Sequence, residues 1–207
     1  PPPHIRDTQD VLPPSATPLQ LVFVGRIHPT KGLHTLLHAL ALRPALTLSL
    51  AIFGAPSLDK AYASDITALA SADARVQVRA PLSNALIVKT LSTFDLVVVP
   101  SEWLETGPLV VYEAFAAGVP VLGANLGGIA ELVSDGLNGR LLPPGDAPAW
   151  AAAIDEIANN RAIITQWQQN IPQIRTMREV AQDMQTVYEY MTSSPTNTQS
   201  QARIGPL

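Results

Sequence analysis

Apolar residues along the chain follow two rhythms. Continuous runs at Leu21–Val24, Leu46–Phe53, Leu96–Val99 and Val119–Gly123 read as buried strands, joined by shorter ones at Arg75–Arg79 and Gly139–Leu142. Between them Leu33, Leu36, Leu37 and Leu40 recur at helical spacing. Further helices are expected over about 58–70, 84–91, 108–117, 129–133, 148–158 and 179–191. β-Branched runs alternating with helices predict a Rossmann-like, doubly wound parallel sheet of the α/β class, covered on both faces. Ligands of such sheets sit beyond the carboxyl ends of the strands, so chemistry is expected just after each strand.

The ends look different. Residues 1–18 hold Pro1, Pro2, Pro3, Pro13, Pro14 and Pro18 and read as an extended linker. Residues 193–207 mix Ser, Thr, Asn, Gln and Pro and read as a disordered tail, leaving 19–192 as one folded domain. The first residue is Pro1 and not Met, which reads as a processed or excised piece.

Composition narrows the partners. A net charge of −4 and a pI near 5.5 leave no basic stripe for a nucleic-acid backbone. The sequence has no cysteine, which removes disulfides, thiolate metal sites and a cysteine nucleophile and fits a cytoplasmic protein. No apolar run approaches the ~18 residues of a membrane span, although peripheral contact with a membrane stays compatible with the sequence.

Two strand ends carry candidate chemistry. The first strand runs into Gly25, Arg26, Ile27, His28, Pro29, Thr30, Lys31 and Gly32. Two cations flanking a strand-to-helix turn suit a diphosphate, but taken alone they read more often as a solvated pair on a surface loop. The fourth strand runs through Pro100, Ser101 and Glu105 to Gly107 and Pro108. Pro108 has the torsion favoured at the first helical position, which would leave the amides of Leu109, Val110 and Val111 unpaired as an anion site. Glu113 lies among Val110, Val111, Ala114 and Phe115, where a carboxylate needs either a hydrogen-bonding ligand such as a ribose or the helix N-terminus. Glu105, alone, reads as a solvated loop carboxylate.

Taken together these elements become specific. Glu105 and Glu113, with seven residues between them, resemble the paired glutamates of family 4 (group 1) retaining glycosyltransferases. Gly25-Arg26 with Lys31-Gly32, Gly127-Gly128 with Glu131, and Asp135-Gly136 with Gly145-Asp146 follow that family's order. The resemblance implies the C-terminal, donor-binding half of a two-Rossmann-domain (GT-B) enzyme. It implies that Arg26 and Lys31 hold the diphosphate of a UDP-, GDP- or ADP-sugar. Glu113 would take the ribose, and Glu105 would face the transferred hexose. Backbone around Gly25, Gly107, Pro108, Leu109 and Val110 would touch donor, without a cofactor or metal. The acceptor would lie on an N-terminal domain, so that this chain alone would be inactive.

Departures are Thr106-Gly107-Pro108 where the family often has Gly-Phe-Gly, and Ala80 where a glycine usually follows the third strand. His34 and His38 stand one helical turn apart, a chelating spacing, but beside the leucine stripe and away from a crevice. No Asp-x-Asp triplet, Walker loop or Gly-x-Gly-x-x-Gly is present. Trp103 and Trp150 are expected to pack before they stack on sugars. A non-catalytic nucleotide-sugar-binding domain and a sugar-nucleotide epimerase are the competing readings.

Overall fold

The computed structural model describes residues 17–55 and 59–193. Six strands form one sheet: β1 (Leu19–Val24), β2 (Leu48–Phe53), β3 (Val76–Arg79), β4 (Leu96–Val99), β5 (Val121–Ala124) and β6 (Gly139–Leu142). Their order is β3-β2-β1-β4-β5-β6, and every neighbouring pair is parallel. The expected α/β fold is therefore present.

Strand order reverses between β1 and β4. Right-handed crossovers put the helices that follow β1 and β2 on one face and those that follow β3 and β4 on the other. Helix α1 (Leu33–Ala41) packs on α2 (Lys60–Ser71) and α6 (Ala147–Asn159), while α3 (Asn84–Leu91) packs on α4 (Leu109–Ala116). The short α5 (Gly127–Leu132) follows β5, and α7 (Ala162–Gln168) follows α6. The leucine stripe of α1 is buried, as are Trp150, Ile154 and Ile157 of α6. Trp150 is fully covered and donates through Nε1 to Pro143 O, so its expectation of packing holds.

Several boundaries move for identifiable reasons. Strand β2 starts at Leu48 because Leu46 N bonds Arg43 O in a turn. Val119 N closes the end of α4 on Ala114 O, and Pro120 has no amide, so β5 begins only at Val121. Arg75 stands just before β3 and turns its guanidinium onto Leu40 O, Arg43 O and Leu46 O, the last of which is 3.3 Å away. Helix α7 was not anticipated: it is seven residues long with two buried anchors, Ile164 and Trp167.

The expected folded span of 19–192 divides. One compact unit is Pro1–Gln173 and a second is Ile174–Leu207. The second contains α8 (Met177–Ser193), on which Met177, Val180, Met184, Val187 and Met191 recur at helical spacing. Of the expected linker over 1–18 and tail over 193–207, residues 1–16 and 194–207 lie outside the described residues.

Candidate functional site

The site forms at the carboxyl ends of β1 and β4, beside the point where strand order reverses. After β1, Ile27 turns inward and its amide bonds Ala55 O, so that Arg26 turns outward into solvent. His28 then caps a short 3-10 turn, Pro29–Lys31, by accepting from Thr30 N. Gly32 ends the turn at φ 64. A Cβ there would lie 1.8 Å from Pro100 O, so only glycine lets α1 start against the end of β4. Gly25 has no such demand, and its amide already serves Phe53 O. It is therefore not an available donor.

The loop from Pro100 to Pro108 is pinned from three sides. Glu102 N donates to Thr30 O at 2.9 Å. The Glu102 carboxylate accepts from Thr35 Oγ1 of α1 at 2.5 Å and lies 3.3 Å from His34 Nε2. His34 in turn holds the Tyr62 hydroxyl at 3.1 Å. At the other end Gly128 N donates to Glu105 O at 2.6 Å, and a Cβ on Gly128 would press within 2.7 Å of that oxygen. The Gly127-Gly128 element of the sequence thus has a steric role: it brings α5 onto the Glu105 backbone.

Within this frame Lys31 Nζ lies 2.8 Å from Glu105 Oε1, and the Ser101 hydroxyl, almost fully buried, lies 2.5 Å from the same oxygen. Arg26 has no ion pair among the described residues. Arg26, His28, Lys31, Trp103, Glu105 and Gly107 line one cavity of about 380 Å³. Lys31 and Glu105 cancel in charge, so Arg26 leaves the cavity cationic. An anion with several oxygens matches that arrangement.

Helix α4 stands beside the cavity with a correction to the sequence reading. Pro108 is the residue before the helix and not its first residue, with ψ 95. Its carbonyl accepts from Val111 N at 3.0 Å. Two amides, of Leu109 and Val110, remain without a partner among the described residues, instead of three. Glu113 is half-buried one turn further along, and burial raises its carboxyl above the ordinary carboxylate range. It makes no hydrogen bond through its side chain among the described residues and does not line the cavity, although its helix starts at the same rim.

Three placements were not legible beforehand. Trp103, expected to pack, is 64% exposed at the mouth of the cavity. His34 and His38, expected away from a crevice, line a second cleft of about 610 Å³ with Pro29, Tyr62, Asp65 and Leu69. Glu102, which the sequence does not single out, is the third. Its one signal was a second carboxylate three positions before Glu105, opposite a helix that presents Thr35 and His34.

The family model described as glycosyl transferases group 1 matches residues 5–174. The chain belongs to that family. It is 35% identical over 146 residues to D-inositol 3-phosphate glycosyltransferase of Mycobacterium marinum, an alignment covering 69% of this chain and 31% of that protein. The group 1 domain therefore spans about a third of the length of the curated relatives it matches. Among solved structures, Anabaena Alr3699/HepE in complex with UDP-glucose matches at TM-score 0.73 and 27% identity, over 86% of this chain and 50% of that one. The C-terminal domain of the group 1 protein LpcC from Francisella tularensis shares the fold at TM-score 0.64 and 21% identity, over 74% of this chain and 83% of that one. The fold here is the Rossmann-like α/β fold that makes up about half of the GT-B glycosyltransferase structures it matches. No helix among the described residues is long and apolar enough to cross a membrane.

Proposed function

We propose that this chain is the nucleotide-sugar-binding half of a retaining glycosyltransferase. The whole enzyme transfers a hexosyl group from a UDP-, GDP- or ADP-sugar to an acceptor held by an N-terminal domain. It is a cytoplasmic enzyme that works without a metal ion. The observation that carries this reading is the cationic cavity in which Lys31 meets Glu105 beside an Arg26 that has no ion pair among the described residues. The likeness to the Anabaena protein, described in complex with UDP-glucose, supports a nucleoside diphosphate-sugar as the donor.

The roles follow from charge and position. Arg26 and Lys31 take the diphosphate oxygens, and the amides of Leu109 and Val110 add donors with the positive end of α4 behind them. As the sugar–phosphate bond breaks, negative charge grows on the departing diphosphate, so these fixed donors stabilise the transition state more than the ground state. Glu105 faces the sugar once Lys31 turns to phosphate. Glu113 gains from ribose hydroxyls the hydrogen bonds its half-buried carboxylate otherwise lacks.

Titration of the chain with UDP, GDP and ADP, followed by amide chemical shifts, tests the reading. Shifts are expected at Arg26, Lys31, Glu105, Thr106, Gly107, Leu109, Val110 and Glu113, with little or no sugar transfer by this chain alone. Shifts centred elsewhere would overturn the residue assignments. Rapid transfer by this chain alone would overturn the need for a second domain.

A further inference from the structure

Trp103 and Leu104 stand between two anchored glutamates. Glu102 is tied back to Thr35 and His34 of α1, and Glu105 to Lys31, Ser101 and, through its carbonyl, Gly128. With both neighbours pulled inward, the two apolar side chains between them turn out to solvent, at 64% and 65% exposure. Both line the cavity that holds Arg26, Lys31 and Glu105. Large apolar side chains held outward by fixed neighbours at the lip of a polar cavity are a contact surface and not slack chain.

Resting on the donor site proposed above, we infer that Trp103, with Leu104 beside it, is the platform that receives the sugar ring of the bound nucleotide-sugar. A pyranose is amphipathic. Its hydroxyls point outward around the ring, while its axial C–H bonds make an apolar, weakly positive face that matches the negative face of an indole. The cavity offers the complementary set: a carboxylate, Glu105, for hydroxyls and an indole for the C–H face, both within reach of the cations that fix the diphosphate. Trp103 thereby selects for a donor that carries a sugar over the bare diphosphate that is left when the sugar has gone.

The three tryptophans make the test direct. Trp150 and Trp167 are 0% and 4% exposed, so iodide quenching of the native chain reports on Trp103. Affinities of the 207-residue chain for UDP-glucose and UDP, GDP-mannose and GDP, and ADP-glucose and ADP give the gain due to the sugar. For the pair that binds, Trp103→Ala should lower that gain about threefold to tenfold, and Trp103→Phe should restore most of it. Affinity for the bare diphosphate and the melting temperature should stay unchanged. The sugar nucleotide, and not the diphosphate, should shield Trp103 from iodide. An unchanged gain in Trp103→Ala, no gain in the native chain, or equal shielding by both ligands would overturn the platform while leaving the donor site standing. Failure of all three diphosphates to bind would overturn the donor site itself, and the platform with it.

Discussion

Lys31 Nζ and Glu105 Oε1 lie 2.8 Å apart although 74 residues separate them in the chain. The pair puts the proposed phosphate ligand in contact with the proposed sugar ligand, so each must let go of the other as a donor enters. Removing the carboxylate charge should then help a diphosphate that has no sugar. Glu105→Gln is expected to tighten UDP binding a few-fold and to reduce the preference for UDP-glucose, leaving the share that Trp103 supplies. Lys31→Ala should weaken both ligands roughly 10-fold to 100-fold, as expected for loss of one charge-assisted hydrogen bond. Calorimetric titration of the two variants separates these outcomes. Weaker UDP binding by Glu105→Gln would show that Lys31 and Glu105 do not compete.

Glu102 acts one step removed. It does not line the cavity itself, but its carboxylate fixes the loop that carries Trp103 and Glu105 onto α1. Glu102→Ala should loosen that loop by about 1–2 kcal/mol, seen as faster amide exchange over residues 101–106. Glu102→Gln keeps an oxygen for Thr35 Oγ1 and should recover most of the protection. Affinity for UDP-glucose should fall in step with exchange, while UDP, held by Arg26 and Lys31, should change little. Exchange rates equal to wild type in Glu102→Ala would remove its positioning role.

How much of this was legible in the sequence depends on the range of the interaction. Strands such as β4, Leu96–Val99, declare themselves because all four side chains are buried and all four are apolar. Lys31 and Glu105 were identifiable as residues because the family spacing marks them, but their contact is made only by the β1–β4 pairing. Glu102 left no clear mark, since its partners His34 and Thr35 lie on a helix 67 residues away from it in sequence, as counted to Thr35. Trp103 was misjudged for a related reason: composition says that tryptophans are buried on average, whereas its exposure comes from anchors on either side. Helix starts were legible to within two residues, yet the number of unpaired amides at α4 turned on whether Pro108 lay inside or outside the helix.

Glu113 offers a pH-dependent test. Its carboxyl is raised by burial, so the folded chain holds that proton more tightly than the unfolded chain. The sign follows from linkage. The penalty is absent below the ordinary carboxylate range, grows as pH rises between the unfolded and the folded value, and is constant above. Glu113→Gln should therefore be neutral in acid and slightly stabilising at pH 7, by less than ~1 kcal/mol because solvent reaches much of the group. Ribose hydroxyls favour the ionised form, so nucleotide should lower the Glu113 pKa and bind more tightly as pH rises through that window. Carboxyl-carbon NMR with and without UDP measures both. A Glu113 titration that ligand leaves unmoved would take ribose away from this residue.

Arg75 tests the scaffold apart from the site. It lies just before β3, at the amino end of the sheet, where its guanidinium joins Leu40 O and Arg43 O at the end of α1 to the Asp73 carboxylate at 2.6 Å. With its side chain 16% exposed, removal leaves carbonyls and a carboxylate without their donor. Arg75→Ala should cost about 3 kcal/mol, roughly 6–12 °C in melting temperature. Arg75→Lys should recover only part, because an ammonium cannot span the same fork of acceptors. The Arg75 hydrogen bond holds Asp73 below its ordinary value, so this stability is present above the ordinary carboxylate range and is lost as pH falls through the depressed value. The gap between wild type and Arg75→Ala should accordingly narrow in acid. Nucleotide affinity per folded molecule should not change, since the ligand rim lies at the other end of the strands. A loss of affinity in folded Arg75→Ala would mean that the two ends of the sheet are coupled.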